Sequence, residues 1–248
     1  MTDLIDLAGK TVIVTGASSG IGAATARQLH EAGAHPVLAA RRADRLAELS
    51  QELGGALAVP TDVTDPAQVD DLVTATLDRH QRIDGLLNNA GASLGGPLDR
   101  TDLAHFGQIL QLNVVGLLAV TQAVLPAMRA QGSGRIVNVS SGTTRRVAVG
   151  TGAYAASKYA VNMLTAVLRE ELADDGIAVS LLVPSVTATE FGGGMFKLGA
   201  SPRPGMVVQS PDYVAGFALR LLRTGEESFD IPHGPEQPGL AGLADVPA

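Results

Sequence analysis

Short runs of aliphatic residues alternate along the chain with longer stretches in which apolar residues recur at helical spacing. Val, Ile and Leu fill the short runs almost continuously, which is the pattern of strands buried on both faces of a parallel sheet. The predicted strands are residues 11–15, 36–40, 56–60, 83–88, 135–140 and 177–183, with a weaker one at 228–231. The predicted helices are residues 22–32, 43–53, 66–80, 101–130, 153–174 and 211–222.

This alternation predicts the fold class. Short loops join the elements, so we expect right-handed crossovers within an α/β, doubly wound (Rossmann) sheet of about seven parallel strands with helices on both faces. No Pro/Ser-rich linker, charge block or solenoid repeat divides the chain. We therefore interpret residues 1–248 as a single domain.

Two segments depart from the alternation. Residues 191–208 hold five Gly and two Pro without periodicity and follow the sixth strand. Because open α/β sheets bind ligands at the carboxyl ends of their strands, we predict a substrate lid whose Phe191, Met195 and Phe196 face an apolar substrate. An ordinary surface loop is the alternative. Residues 232–248 are rich in Pro and Gly and are predicted to form an irregular tail.

Composition narrows the function classes. The formal net charge is −7 and there is no basic run, which argues against nucleic-acid and anionic-membrane partners. The absence of Cys excludes disulfides, thiolate nucleophiles and cysteine-ligated metals, and no two His stand at metal-ligand spacing. The first ten residues lack the features of a secretory signal and the apolar runs are short. We expect a cytoplasmic protein with neither a metal nor a membrane span.

A glycine-rich loop, TGASSGIG at residues 15–22, joins the first strand to the first helix. Glycines at this spacing let the backbone turn tightly and approach a pyrophosphate, while the helix N-terminus offers N–H groups to the phosphates. A plain tight turn is the alternative, but the strand-loop-helix context favours a dinucleotide site. The predicted binding residues are Gly16, Ser18, Ser19, Gly20, Ile21 and Gly22.

The end of the second strand bears on which dinucleotide binds. Arg41 and Arg42 follow it, and the first carboxylate is Asp44. A guanidinium suits a 2′-phosphate, so NADP(H) is favoured, with Arg41 as the preferred contact. NAD(H) stays open, because both arginines could simply be solvated at the start of the next helix. After the third strand come Asp62 and Val63, where the carboxylate could meet the adenine amino group.

Tyr154 and Lys158 are four residues apart in a predicted helix and therefore share one face. An ammonium at about 4 Å in an effective dielectric of about 20 is worth about 4 kcal/mol, which would lower the pKa of the phenol by about two or three units. The alternative is a surface Tyr packed on the Lys stem. Ser141 ends the fifth strand thirteen residues before Tyr154, where its hydroxyl could share a substrate carbonyl oxygen with the phenol.

Together these motifs, with Asn88-Asn89-Ala90-Gly91 and Asn113, resemble the classical short-chain dehydrogenases/reductases over residues 10–189. The resemblance implies a catalytic tetrad of Asn113, Ser141, Tyr154 and Lys158, with Ser141 chosen over Ser140 by the family's spacing. It also implies that the cofactor is contacted by Asn89, Ala90, Gly91, Tyr154, Lys158, Pro184, Val186 and Thr189.

The resemblance further implies a mechanism. In reduction, the nicotinamide passes a hydride to a carbonyl carbon while Tyr154 protonates the oxygen, and Ser141 stabilises the developing charge. Lys158 would lower the pKa of Tyr154 and hold the nicotinamide ribose, and Asn113 would hold a water that returns the proton. Oxidation of an alcohol reverses each step.

The chain departs from the family after the sixth strand, where Ser185 replaces a Gly and Thr187 a Val. The end of the chain also lacks the family's common Asp-Gly-Gly strand, which weakens any likeness to ketoacyl reductases. Arg145 and Arg146, in the loop before Tyr154, could meet an acidic substrate or could simply be solvated.

The leading hypothesis is an NADP(H)-dependent oxidoreductase that interconverts a ketone or aldehyde and an alcohol. A catalytically silent dinucleotide-binding regulatory or scaffolding protein of the same fold is the alternative, which the complete tetrad disfavours. A nucleotide-sugar epimerase or dehydratase would carry a different glycine loop and a larger C-terminal region. The resemblance implies a homodimer or homotetramer that associates through the helices at 101–130 and 153–174.

Overall fold

The computed structural model describes residues 4–194, 196–198, 200 and 206–232. Seven parallel strands form one sheet in the order β3-β2-β1-β4-β5-β6-β7. The strands are β1 Thr11–Thr15, β2 His35–Ala40, β3 Ala58–Pro60, β4 Gly85–Asn88, β5 Gly134–Val139, β6 Ile177–Val183 and β7 Ser228–Asp230. The helices are α1 Gly20–Glu31, α2 Ala43–Glu52, α3 Pro66–His80, α4 Leu103–Leu110, α5 Leu117–Gln131, α6 Gly152–Leu172, a single turn α7 Phe191–Gly194, and α8 Pro211–Thr224.

The central strands are buried on both faces, as their continuous aliphatic runs require. One face of the sheet packs against α1, α2 and α8 through a cluster that includes Leu29, Leu46 and Phe217. The other face packs against α3, α5 and α6 through a cluster that includes Leu72 and Val124. The predicted doubly wound α/β fold is confirmed.

The chain reverses its direction of winding between β1 and β4. β1 pairs with β2 on one side and with β4 on the other, so the loops that follow β1 and β4 diverge to opposite faces. Ligands bind in open α/β sheets at this switch point, outside the carboxyl ends of the strands. The glycine loop follows β1 and the Asn-Asn-Ala-Gly segment follows β4, so the topology brings them together there.

The predicted elements match the observed ones closely, with one internal difference. β1, β6 and α3 have the predicted bounds, and Asp65 caps α3 by accepting a hydrogen bond from the Ala67 N–H. The single helix predicted over residues 101–130 is instead α4 and α5 joined by a π-helical turn, Gln111–Gly116, which buries Asn113. An extra residue in a helical turn gives no periodicity signal strong enough to be read from sequence.

The helical stretch Leu103–Gln131 is long and apolar enough to cross a membrane by length and composition alone, although the sequence analysis predicted no such span. A helix packed within a globular core meets the same criterion. Here Val120, Val124 and Met128 are fully buried against the sheet.

The two irregular segments are only partly described. Of the predicted lid, residues 195, 199 and 201–205, including Met195, lie outside the described residues, as do residues 233–248 of the predicted tail. The described part of the lid begins with α7, in which Gly192 and Gly193 adopt left-handed backbone angles.

Candidate active site

The glycine loop at residues 15–22 needs glycine at three positions for different reasons. Gly16 and Gly20 have positive φ angles of 67° and 54°, which other residues adopt at a cost. A Cβ at Gly22 would lie 2.4 Å from the Gly16 carbonyl oxygen, and one at Gly16 would lie 2.8 Å from Asn89 Nδ2. The backbone therefore forms a close cradle at the start of α1.

The first turn of α1 is available to bind an anion. The Ser19 side chain occupies the N-cap position but makes no capping hydrogen bond to the helix. The N–H groups of a helix's first turn have no partner within the helix and carry the positive end of its dipole. The loop and the turn together have the structure of a phosphate-binding site.

Thr15 joins the glycine loop to the segment that follows β4. Its Oγ1 accepts hydrogen bonds from the backbone N–H groups of Asn89 and Ala90 at 3.0 and 3.1 Å, and donates to the Leu87 carbonyl at 3.2 Å. Asn89 Nδ2 returns a bond to the Thr15 carbonyl at 3.0 Å. The predicted cofactor residues Asn89 and Ala90 thus lie directly beside the loop. The sequence analysis placed Thr15 at the start of the glycine loop, but a Thr that ends a strand gives no signal of this bridging role.

The two arginines after β2 have different surroundings. The Arg42 guanidinium lies over the glycine loop and donates from Nη2 to Ser18 Oγ at 2.9 Å and to Ser19 Oγ at 2.7 Å. Its Nη1 donates to Glu190 Oε2 at 2.7 Å. Arg41, which the sequence analysis preferred, is exposed, and its charge contributes to lowering the pKa of Asp62. Sequence reasoning also missed Glu190, which approaches Arg42 only through the fold.

Asp62 is fixed in its ionised form. Its Oδ1 accepts from the Thr64 hydroxyl at 2.7 Å and from the Thr64 N–H at 2.9 Å, and these bonds lower the pKa of the carboxyl. Val63 is buried against the π-helical turn, where a Cβ at Gly116 would lie 2.8 Å from its Cγ2. The two residues that follow β3 are therefore held rigidly at the same edge of the sheet.

Asn113 anchors the loop after β4 to α6. Its Oδ1 accepts from the Ala92 N–H, and its Nδ2 donates to the Ala92 carbonyl, both at 2.9 Å. Nδ2 also donates to Ser157 Oγ at 3.0 Å, and that hydroxyl donates to the Tyr154 carbonyl at 2.7 Å. A Cβ at Gly91 would lie 3.1 Å from Asn113 Oδ1 and 3.7 Å from Lys158 Nζ. The structure thus brings Asn113, Gly91 and Lys158 together.

Tyr154 and Lys158 both lie near the start of α6, and burial shifts both pKa values. Burial raises the pKa of Tyr154 to about 12, and hydrogen bonding to Ser141 lowers it in part. Burial lowers the pKa of Lys158 to about 8, and its ammonium donates to the Val139 carbonyl at 2.8 Å. The pKa of Tyr154 is therefore not lowered as the sequence analysis expected, because the cost of burying the phenolate dominates.

The two serines at the end of β5 have separate environments. Ser140 is buried and donates to Asn162 Oδ1 at 2.5 Å. Ser141 Oγ accepts from the Thr143 N–H at 3.2 Å and from the Thr143 hydroxyl at 3.0 Å. Its hydrogen bond with Tyr154 lowers the pKa of the phenol in part. The structure therefore brings Ser141, rather than Ser140, to Tyr154.

The segment after β6 forms the remaining wall. Pro184 O accepts from the Gly142 N–H at 2.9 Å, and Val186 O accepts from the Gln209 N–H at the same distance. Thr189 packs on the glycine loop, where a Cβ at Gly20 would lie 2.9 Å from its Cγ2. A cavity of about 460 Å³ opens between this segment and α1, lined in part by Ser19, Gly20, Thr189, Glu190 and Phe196.

Two other predicted contacts at the substrate side can be located. The centroid of the Phe191 ring lies 5.6 Å from that of the Tyr154 ring. Arg145 instead donates from Nε and Nη2 to both carboxylate oxygens of Asp230, which ties the loop before α6 to the end of β7. Within the described ranges, no group of three or more His, Asp or Glu residues could hold a metal ion.

Comparisons with known proteins agree with this geometry. A family model described as short chain dehydrogenase matches residues 10–197. An uncharacterized oxidoreductase of Staphylococcus saprophyticus is 40% identical over 73% of this chain and 75% of its own length. Glycine betaine reductase of Emericella nidulans is 36% identical over 89% of this chain, but the chain spans only 18% of that protein.

Two solved structures are also similar. A 3-ketoacyl-(acyl-carrier-protein) reductase from Brucella melitensis, complexed with NADH, superposes with a TM-score of 0.85 at 28% identity, covering 91% of this chain and 97% of that one. A short-chain type dehydrogenase/reductase from Mycobacterium marinum gives 0.83 at 30% identity, covering 92% and 96%. The fold, the glycine cradle and the matched length agree, and the chain belongs to the short-chain dehydrogenase/reductase family of oxidoreductases.

Proposed function

We propose that the protein is an NADP(H)-dependent oxidoreductase that reduces a ketone or aldehyde to an alcohol, or catalyses the reverse, with Tyr154 as the general acid and base. The observation that carries this proposal is that Ser141 hydrogen-bonds Tyr154 while Lys158 lies beside Gly91, in the segment that Thr15 joins to the glycine loop. A hydroxyl pair and a buried ammonium beside a dinucleotide cradle are suited to polarising and protonating a carbonyl group.

The residues present fit a nicotinamide dinucleotide. The cradle at Gly16 and Gly22 has no room for a Cβ, and the uncapped start of α1 suits the pyrophosphate. Asp62 suits the adenine, and the residues expected to contact the nicotinamide half are Asn89, Ala90, Gly91, Pro184, Val186 and Thr189. The nicotinamide, when bound, would supply or accept the hydride.

The chain's own residues would move the proton. The pKa of Tyr154, raised to about 12 by burial, keeps the phenol protonated at neutral pH and ready to donate. Ser141 donates to the same substrate oxygen and stabilises the charge that develops on it. The Lys158 ammonium would hold the nicotinamide ribose and favour the phenolate that remains, and Asn113 would hold the water through which the proton is replaced.

The preference for NADP(H) rests on Arg41 and Arg42. Arg42 is already held over the loop by Ser18 and Ser19, and Arg41 adds a second exposed cation at the end of β2. A carboxylate that would repel a 2′-phosphate is absent from residues 38–43 of the sequence. The similar ketoacyl reductase is complexed with NADH, so NAD(H) is the competing cofactor that the binding test must include.

An apolar carbonyl substrate is supported by the loops around Tyr154. Val147 and Val149, in the loop before α6, are 101% and 96% exposed, and Leu98 and Phe191 are also exposed. Gly96 N–H donates to the Gly150 carbonyl at 2.9 Å, which joins the loop that carries Leu98 to the valine loop. Exposed apolar side chains grouped around a candidate active site favour an apolar ligand there.

We also propose that the protein is a homodimer or homotetramer. Tyr159, Met163 and Val167 form an exposed apolar stripe along α6 at a spacing of four residues. A second copy of the same face would cover it, as expected for a symmetric interface. Light scattering after size-exclusion chromatography should give at least twice the 25.4 kDa mass of one chain, and Met163→Lys should reduce it.

The test of the proposed function is an assay of NADPH oxidation with a panel of apolar ketones and aldehydes. The loss of NADPH is monitored by the absorbance of the nicotinamide. Tyr154→Phe keeps the ring against Phe191 but removes the proton, so it should lose at least about a hundredfold in kcat while still binding NADPH. Binding without turnover in the wild type would favour the regulatory alternative. Unchanged turnover in the variant would remove Tyr154 from the proposed mechanism.

A further inference from the structure

Glu190 is a carboxylate paired with Arg42, one of the two arginines proposed above to bind a 2′-phosphate. It follows Thr189, the residue that packs on Gly20, and its Oε2 accepts from Arg42 Nη1 at 2.7 Å. Its other oxygen, Oε1, lies 4.0 Å from Arg45 Nη2. Glu190 therefore connects the segment after β6 to the basic residues after β2, across the glycine loop.

The neighbours of Glu190 keep it in this place. Thr189 is seated against the loop, and the Phe191 ring lies 5.6 Å from the Tyr154 ring. The Glu190 backbone thus lies between two residues with defined contacts, and its side chain reaches Arg42 across the glycine loop. The carboxylate is 56% exposed, so the ion pair and not burial holds it beside Arg42.

Arg42 has few donors to spare for another anion. A guanidinium carries five N–H groups. Arg42 uses Nε and Nη2 on Ser18 and Ser19 and one N–H of Nη1 on Glu190. A phosphate that approaches Arg42 must therefore compete with a carboxylate already bound there and would stand close to its negative charge.

We infer that Glu190 is a specificity-determining residue that competes with the cofactor's 2′-phosphate for Arg42 and so limits the preference for NADP(H) over NAD(H). This inference rests on the proposed function. It identifies Glu190 as a residue that weakens the preference for NADP(H) that Arg41 and Arg42 provide. The pair is about half exposed on each side, so the competition is moderate and the carboxylate can be displaced.

The expected effect follows from the charges. Replacing Glu190 by Gln removes one negative charge. That charge would stand close to the 2′-phosphate, which carries nearly two, because both anions would contact the Arg42 guanidinium. We expect Glu190→Gln to bind a 2′-phosphate about fivefold more tightly, with no change for a ligand that lacks it. The gain should shrink as salt is raised, because both partners are solvent-accessible.

The experiment is calorimetric titration with two probes, adenosine 2′,5′-bisphosphate and 5′-AMP, which differ only in the 2′-phosphate. Glu52→Gln is the control, because Glu52 also forms an exposed ion pair with an arginine, here a bidentate pair with Arg27 outside the loop after β2. Arg42→Ala and the double variant Arg42→Ala/Glu190→Gln complete a cycle. Thermal unfolding of each variant checks that it is folded.

The inference is supported if Glu190→Gln gains about fivefold for the bisphosphate alone, and if the gain disappears in the Arg42→Ala background. It is overturned if Glu190→Gln behaves like Glu52→Gln or binds the bisphosphate less tightly. A wild type that does not discriminate between the probes would refute the NADP(H) preference. Even then, tighter binding of the bisphosphate than of 5′-AMP by Glu190→Gln would show that Glu190 competes with the 2′-phosphate. If Glu190→Gln also bound both probes equally, the inference would be overturned.

Discussion

The Thr15 hydroxyl is expected to hold the two halves of the cofactor crevice together, and Thr15→Val tests this. The substitution conserves shape and volume and removes only the hydroxyl of a residue that is 1% exposed. Asn89 N–H and Ala90 N–H then lose their acceptor, and the Leu87 carbonyl loses a donor.

The magnitude follows from those three groups. An unsatisfied buried polar group costs about 1–3 kcal/mol, and Asn89 and Ala90 are half-buried, so water can compensate in part. We expect the free energy of unfolding to fall by about 2–4 kcal/mol. Because Asn89 and Ala90 are proposed cofactor contacts, dinucleotide affinity should also fall.

Urea unfolding and dinucleotide titration measure the two effects. Thr25→Val is the matched control, because this buried hydroxyl donates to the Ile21 carbonyl four residues earlier in α1 and accepts from no N–H in the described structure. That control should lose less than about 1 kcal/mol. If Thr15→Val loses no more than Thr25→Val, the hydroxyl does not organise the crevice.

Three further predictions concern the cradle, the sheet and the titration of the site. Gly22→Ala would force a Cβ to 2.4 Å from the Gly16 oxygen and should weaken dinucleotide binding at least about tenfold. Gly107→Ala, whose Cβ meets nothing within 4 Å, should leave binding unchanged, and equal affinities of the two variants would contradict the cradle. Asp84 accepts from the Thr11 N–H and Arg82, and its pKa is lowered, so the stability it contributes is present above its unfolded pKa and lost as pH falls through the folded value. Unfolding measured from pH 7 to pH 2 should show a smaller acid loss in Asp84→Asn than in wild type, and parallel curves would refute the assignment. Since burial lowers the pKa of Lys158 to about 8, kcat/KM for reduction should decline above that pH, and a profile flat to pH 10 would contradict the role of its ammonium.

The fold could be predicted from sequence because its signals are local and repeated. Aliphatic runs such as residues 11–15 and 177–183 are buried on both faces, and their bounds coincide with β1 and β6. The Asp65-Pro66 pair fixes the start of α3 through a side-chain cap and a proline in the first turn. The order of such elements is sufficient to predict a doubly wound sheet.

Much of the candidate site could also be located, because its residues terminate strands or share a helix face. The parts that could not be predicted depend on tertiary contacts between distant segments. Whether Arg41 or Arg42 lies over the loop is decided by Ser18, Ser19 and Glu190, the last of which is 148 residues away. Likewise Arg145 is paired by Asp230, and the pKa of Tyr154 depends on how deeply α6 is buried.

The central claim is that this edge of the sheet binds a nicotinamide dinucleotide with a preference set by the arginines after β2. The most direct measurement is titration with NADPH and with NADH, with binding monitored by nicotinamide fluorescence. The protein adds little background fluorescence because the chain contains no Trp. We predict that NADPH binds at least about tenfold more tightly than NADH, and that the difference is lost when Arg41 and Arg42 are both replaced by Ala. Equal binding would contradict the phosphate preference, and binding of neither dinucleotide would contradict the proposed oxidoreductase function.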